Sequence, residues 1–256
     1  MEGSFARRLR DREPLVGVWS IIGNPTVAEH LAHADFDFVV FDGEHSENTI
    51  EDIGVGIRAV EAADAGTVPI VRVSENNGAE IRRLLDLDPR GIVVPQIESL
   101  DEAEAAVDAT QYPPEGVRGV AGSRASEYGR SLGEYLDRAN ESIATILQIE
   151  TGGALEDVEE IAAIDGLDGL FIGPADLSAR LGVFGQFESE QFLDAVERTV
   201  AAAAEHDVAV GTLATGLDAV ERRQEWGVDF IATGTDVGYL REAADQYLDR
   251  YHETRE

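Results

Sequence analysis

Eight short apolar runs, spaced along the chain and separated by amphipathic stretches, constrain this 256-residue sequence more than any other feature. They are Leu15–Ile21, Phe36–Phe41, Pro69–Val73, Gly91–Pro95, Ile143–Ile149, Gly169–Ile172, Val208–Leu213 and Phe230–Thr233. Most are continuously apolar rather than alternating, the pattern of parallel strands covered on both faces. Between them, Leu155, Val158, Ile161 and Ala162 fall on one face of a predicted helix, and Phe192, Val196 and Val200 repeat with the same helical period. Further helices are predicted near Asp101–Ala109 and Leu132–Asn140. Eight β/α units with no Pro-, Gly- or Ser-rich linker predict an α/β fold, a single-domain TIM (β/α)8 barrel over residues 1–256. An open doubly wound sheet is the alternative. It usually carries a Gly-rich phosphate turn after its first strand, and Ile21–Ile22–Gly23–Asn24–Pro25 is not one.

The barrel reading places chemistry just after strand carboxyl ends. Asp42–Gly43–Glu44–His45 follows the second strand, and Arg72 ends the third. Gln148 and Glu150 close the fifth, and Gly173–Pro174–Ala175–Asp176 follows the sixth. Tyr112–Gly129, between two predicted helices, has the length and the Gly and Arg content of an active-site loop. A carboxylate ending an apolar strand, as Glu150 does, needs a partner to stay ionised. With Asp176 from the next loop, two anions meet at the barrel mouth, and such a pair either shares a proton or holds a cation. Two carboxylates with open positions suit Mg²⁺ or Mn²⁺. Taken singly, each residue has a plainer role. Asp176 could cap a helix, Glu150 and Arg72 could sit in structural ion pairs, and His45 could be a loop histidine. Agreement among four strand ends favours a shared site. His30, His33, His206 and His252 read as surface or terminal residues, and the acidic runs Asp101–Glu104 and Glu156–Glu160 as solvated helix faces.

Composition narrows the chemistry. All 20 basic residues are arginine, against 51 Asp plus Glu, for a net charge of −31, and there is no cysteine. A lysine imine, a pyridoxal Schiff base, a Walker-A lysine, a thiolate site and a disulfide are excluded. Nucleic acid is an unsuitable partner for so acidic a chain. No apolar run reaches the roughly 18 residues of a membrane helix, and Met1–Arg12 lacks the apolar core of a signal peptide. A cytoplasmic protein is expected. The acid excess without lysine points to a salt-rich, halophilic host.

Six stretches, in order from about Val16 to Leu240, resemble the metal-dependent pyruvate aldolases of the HpcH/HpaI type. They are Phe41–Asp42–Gly43–Glu44–His45, Pro69–Ile70–Val71–Arg72, Gly91–Ile92–Val93–Val94–Pro95, Tyr112–Val120, Gln148–Ile149–Glu150–Thr151 and Phe171–Ser178. The resemblance implies reversible retro-aldol cleavage of a 4-hydroxy-2-oxo acid to pyruvate and an aldehyde, with a divalent cation (Mg²⁺, Mn²⁺ or Co²⁺). It implies Glu150 and Asp176 as metal ligands, and Gln148, the backbone at Gly173, Pro174 and Ala175, and Leu213 as substrate-binding positions. It further implies Arg72 as the enolate-stabilising group and His45 as the base. Asp42 and Asp86 stand where acidic residues raise the basicity of that histidine, Asp86 across a subunit interface. A homohexamer, a trimer of dimers with an exchanged terminal helix, is implied as well.

The absent lysine agrees with this reading, since negative charge on the 2-oxo oxygen then has to be met by a metal and an arginine. The segment Arg118–Ser126 is about two residues shorter than the family's usual run, which bears on the aldehyde it accepts. The following Glu127–Tyr128–Gly129–Arg130 points to hydroxylated, sugar-derived acceptors. Two other enzyme readings stand beside the aldolase. A malyl- or citramalyl-CoA lyase would want a basic cluster for the CoA phosphates. A phosphosugar isomerase or epimerase would use Ala214–Thr215–Gly216 and Gly234–Thr235–Asp236 as a phosphate cradle. A non-catalytic barrel would show a degraded site.

Overall fold

Eight parallel strands close into a barrel in strict sequence order in the computed structural model, which describes residues 4–254. They are β1 (Leu15–Ser20), β2 (Phe38–Asp42), β3 (Val68–Arg72), β4 (Gly91–Val94), β5 (Ala144–Ile149), β6 (Gly169–Ile172), β7 (Ala209–Leu213) and β8 (Phe230–Thr235). All eight coincide with the predicted runs, and β8 pairs with β1 to close the ring. The TIM barrel is therefore the fold.

Strand side chains alternate between two environments, because a strand turns its residues by half a revolution at each step. Val39, Phe41, Val71, Ile92, Leu147, Leu170 and Val210 join the buried layer between strands and helices. Phe38, Val40, Ile70, Val93, Ile146, Phe171 and Phe230 point into the barrel. Continuing the inward parity to the strand ends places Asp42, Arg72, Gln148 and Glu150 inside the mouth. The two-residue period thus delivers the polar groups to one place.

The barrel interior is an aromatic column. Phe5, on a helix Phe5–Arg10 that the apolar runs do not announce, lies 5.6 Å from Phe38 across the floor. Phe38, Phe230, Phe171 and Trp19 follow with ring centroids 6.1, 6.0 and 5.4 Å apart. Gly17 and Gly211 make room for it, since a Cβ at either would stand 2.3 or 2.2 Å from the Phe38 or Phe230 ring. Trp19 at the top carries the Arg72 guanidinium, 4.9 Å from its ring centroid. Packing of the floor therefore sets the level of a charged group in the mouth.

Two local departures have physical causes. The helix expected through Leu155–Ala162 is two, Gly152–Glu156 and Val158–Ala162. Asp157 between them leaves helical geometry, and its carboxylate accepts the Leu100 N–H at 2.9 Å. The Tyr112–Gly129 stretch does not line the chain's own barrel mouth. Its anchor, Arg118, is fully buried, stacked 4.5 Å from the Tyr112 ring centroid and donating to the Tyr135 hydroxyl at 3.1 Å.

Candidate active site

One cavity at the carboxyl ends of the strands is lined by Asp42, His45, Arg72, Gln148, Glu150, Gly173, Pro174, Ala175, Asp176 and Leu213. Ten of the eleven residues expected at the site thus meet. The exception is Asp86, the residue after the helix Gly78–Leu85. That helix starts after β3 at the mouth and runs toward the barrel floor, so Asp86 lies away from its own site, 3.6 Å from Arg118.

Asp42 and Arg72 are register partners across β2 and β3. Arg72 donates Nε to Oδ1 at 2.9 Å and Nη2 to Oδ2 at 2.7 Å, the planar fork-to-carboxylate geometry of a strong charge-assisted pair. Asp42 also accepts the backbone N–H groups of Glu44 and His45. Burial pulls its pKa up, but the Arg72 bonds and charge, with those N–H groups, hold it below the ordinary carboxylate value. The remaining guanidinium nitrogen, Nη1, lies 2.7 Å from Glu44 Oε2. Arg72 is thus fixed on three sides.

Asp42 does not touch the His45 imidazole. The nearest carboxylate there is Glu44, 3.8 Å from Nε2, while the imidazole itself is 66% exposed in this single chain. Glu44, given no role in the sequence reading, links the arginine to the histidine. Its pKa is raised by burial, with Asp42 and Asp176 adding and Arg72 and His45 opposing.

Glu150 has no arginine partner among the described residues, which speaks against the structural ion-pair alternative. Oε1 accepts the backbone and side-chain N–H groups of Gln96 at 2.9 and 3.1 Å, and Oε2 accepts Gln148 Nε2 at 2.6 Å. Burial, reinforced by Glu44 and Asp176, pushes its pKa up to about 7. Gly173 lets the backbone pass, because a Cβ there would stand 2.4 Å from Glu150 Oε2. Asp176 is not a helix cap. The cap of Pro174–Arg180 is Gly173, and the Asp176 carboxylate makes no hydrogen bond or ion pair among the described residues.

The buried Gln148 Oε1 is also without a partner. No group of three or more His, Cys, Asp or Glu side chains among the described residues forms a complete metal cage. The donors available are therefore two carboxylates, an orphaned amide oxygen and open positions. That set, with three mutually repelling carboxylates and one arginine engaged elsewhere, fits a hard divalent cation.

The phosphate-cradle alternative meets an obstacle in Asp236. Its buried carboxylate itself takes the Ser20 hydroxyl and the backbone N–H groups of Ile21 and Ile22. His30, His33, His206 and His252 are all exposed, as are Asp101, Glu102 and Glu104, whereas Asp157 in the second acidic run is half-buried and binds the Leu100 N–H instead of lying on a solvated helix face.

Residues 15–243 match the family HpcH/HpaI aldolase/citrate lyase. The chain belongs to this family. Among its relatives is the hydroxypyruvate/pyruvate aldolase of Paraburkholderia phytofirmans, 41% identical over 94% of this chain and 94% of that protein. The 4-hydroxy-2-oxo-heptane-1,7-dioate aldolase of Escherichia coli is 36% identical over 98% of this chain and 95% of that protein. A solved HpcH/HpaI aldolase/citrate lyase family protein from Burkholderia cenocepacia superposes with a TM-score of 0.92 at 39% identity, covering 96% of this chain and 98% of that one.

Within this HpcH/HpaI barrel, the lining residues that strand-end reasoning missed are Trp19, Ile21, Phe171, Phe187 and Arg223, together with Gln96 behind Glu150, while Thr215 and Thr235 line it from the two loops considered as a phosphate cradle. Trp19 and Phe171 share the inward parity of their strands and were legible from it. Phe187 and Arg223 come from elsewhere in the β6–β8 crossovers, where no strand period reaches.

Proposed function

We propose that this protein is a carbon–carbon lyase that reversibly cleaves a 4-hydroxy-2-oxo acid to pyruvate and an aldehyde with the help of a divalent cation. The observation carrying this reading is that Arg72, Glu150 and Asp176 line one cavity in a chain without lysine. Charge developing on the 2-oxo oxygen has no imine nitrogen to receive it. Glu150 and Asp176 would hold Mg²⁺, Mn²⁺ or Co²⁺, which supplies Lewis-acid charge at that oxygen when bound.

The chain's own residues do the rest. Arg72, clamped by Asp42 and Glu44 and resting on Trp19, presents a preorganised guanidinium to the developing enolate. Gln148 offers its unpartnered Oε1, and the Gly173–Ala175 backbone approaches the pyruvate unit. His45 takes the C4 hydroxyl proton directly or through water. The C3–C4 bond breaks, the aldehyde leaves, and the enolate carbon takes a proton to give pyruvate. In synthesis His45 returns its proton to the new alkoxide. The acceptable aldehydes include carboxylated and hydroxylated, sugar-derived ones.

The assembly is expected to be a homohexamer, a trimer of dimers. The helix Asp236–Glu253 supports this reading, because Leu240, Tyr247, Leu248 and Tyr251 are exposed along it and only Asp236 is buried. A second copy would also bring Asp86 toward a site it cannot reach in its own chain. No helix among the described residues is long and apolar enough to cross a membrane. With the all-arginine, strongly acidic composition, this supports a place in the cytoplasm of a salt-rich cell.

The test is pyruvate release from a panel of 4-hydroxy-2-oxo acids in molar KCl with added metal. Turnover of at least one member is expected, and a His45→Ala variant should lose about 10²–10⁴-fold in kcat. Absence of pyruvate from the whole panel would overturn the reading.

A further inference from the structure

Arg223 lines the same cavity from the helix Leu217–Gln224, and its surroundings differ from those of Arg72. It is 4% exposed, yet none of its guanidinium nitrogens makes a hydrogen bond or ion pair among the described residues. Its Nε is buried and unsatisfied. The guanidinium lies between two rings, 4.0 Å from the Trp226 centroid and 4.5 Å from Phe187. Other inward arginines have carboxylates close by, Arg72 with Asp42 and Glu44, Arg118 with Asp86, and Arg124 with Glu61. In a chain with 51 acidic residues, a buried arginine without one is an exception.

Burying a cation with no partner is unfavourable, so a folded protein that keeps one at a cavity wall has a use for it. Contact with the two rings holds the guanidinium in place and leaves its N–H groups without a protein acceptor among the described residues. Burial pulls its pKa down to about 10, Arg222 adding, and no carboxylate of the metal-site cluster figures among the charges that act on it. Arg223 therefore stands apart from Glu150 and Asp176 while sharing their cavity. Phe187, Leu213, Thr215 and Thr235 line the same cavity, Phe187 in contact with the guanidinium.

We propose that Arg223 is a specificity-determining residue that receives a carboxylate carried by the aldehyde half of the substrate. This rests on the aldolase reading above. The 2-oxo acid end occupies the Arg72, Glu150 and Asp176 end of the cavity, and the chain beyond C4 extends toward Arg223. One stacked arginine presents a single planar edge that matches a carboxylate. A phosphate dianion at Arg223 would lack a second cation.

The experiment measures aldol addition of pyruvate to glyoxylate, 3-oxopropanoate and 4-oxobutanoate, each beside its methyl ester, with glycolaldehyde phosphate as a further arm. Metal-loaded wild-type enzyme and the Arg223→Met and Arg223→Lys variants are compared at one salt concentration. Methionine keeps apolar volume between the rings, and thermal unfolding verifies that each variant is folded. Wild-type enzyme is expected to prefer at least one acid to its ester in kcat/KM. Arg223→Met should raise KM for that acid at least about tenfold while moving the ester's KM less than threefold, with Arg223→Lys between. An unchanged acid-to-ester ratio in Arg223→Met would overturn the proposal, and so would preference for the phosphate arm. Should Arg223→Met not fold, the same ratio in Arg223→Lys decides. Solvent exchange of the pyruvate C3 protons by wild-type enzyme separates the two readings. No exchange means the aldolase reading fails, whereas exchange with an unchanged ratio means only the Arg223 role fails.

Discussion

Asp42 and Arg72 face each other as register partners at the mouth ends of β2 and β3, joined by two hydrogen bonds of 2.9 and 2.7 Å. The pair exists because both strands carry apolar inward residues up to that level and a charged one at the next inward step. It turns the arginine edge-on into the cavity and leaves only Nη1 for Glu44. Asp42 therefore acts on the reaction through Arg72, as a positioning residue.

Asp42→Asn should consequently lower kcat by about 10–100-fold, because asparagine cannot accept both N–H groups as a charged fork. Pyruvate KM should change less than kcat. Steady-state kinetics check this, and an equal rise in KM with unchanged kcat would assign Asp42 to binding instead.

Gly173→Ala is expected to disturb the metal end selectively. Its Cβ would stand 2.4 Å from Glu150 Oε2, so the carboxylate or the β6 backbone has to shift. Metal affinity should fall at least about tenfold while the fold survives, since the second layer around a metal ligand commonly carries that much. Calorimetric titration with Mn²⁺ measures it.

The floor of the barrel predicts a stability effect without a primary catalytic one. Gly17→Ala would drive a methyl to 2.3 Å from the Phe38 ring. Overpacking of this kind costs about 1–3 kcal/mol, read as a lower urea midpoint with an unchanged slope.

Asp168, 3% exposed, accepts Arg10 Nε at 2.6 Å and the Thr145 N–H at 2.8 Å. Burial nevertheless raises its pKa to about 6 from an ordinary 3.8, with Arg10 and Thr145 opposing. A raised carboxyl pKa means the folded state holds the proton more tightly. The resulting stabilisation is full below the unfolded value and is lost as pH rises through about 6. Asp168→Asn removes that titration. Between pH 5 and pH 7.5, wild-type stability should therefore fall by about 1 kcal/mol relative to the variant. Paired denaturation curves at the two pH values test the sign.

The fold was legible because parallel barrel strands are buried on both faces and so appear as uninterrupted apolar runs. The charged residues Asp42, Arg72 and Glu150 were legible because each breaks or ends such a run at its mouth end. What could not be read depends on tertiary approach. Gln96 reaches Glu150 from the neighbouring β4 loop, and Glu44 shows its link between Arg72 and His45 only once the loop is folded. Arg223 sits in an ordinary amphipathic helix beside Arg222, and nothing in the sequence tells which of the two is buried. Tyr112–Gly129 has an active-site loop's composition, yet its Arg118 is used in packing against Tyr112 and Tyr135, and its Arg124 pairs with Glu61.

The central claim is that Glu150 and Asp176 hold a cation without which Arg72 cannot carry the reaction. The most direct measurement is pyruvate release from a cleaved 4-hydroxy-2-oxo acid by EDTA-treated enzyme, before and after adding Mg²⁺, Mn²⁺ or Co²⁺, in wild type and Glu150→Gln. The account predicts a loss of at least about 100-fold on chelation, several kcal/mol of transition-state stabilisation. Added metal should restore wild type but not the variant. Full activity in EDTA, or in Glu150→Gln, would contradict it.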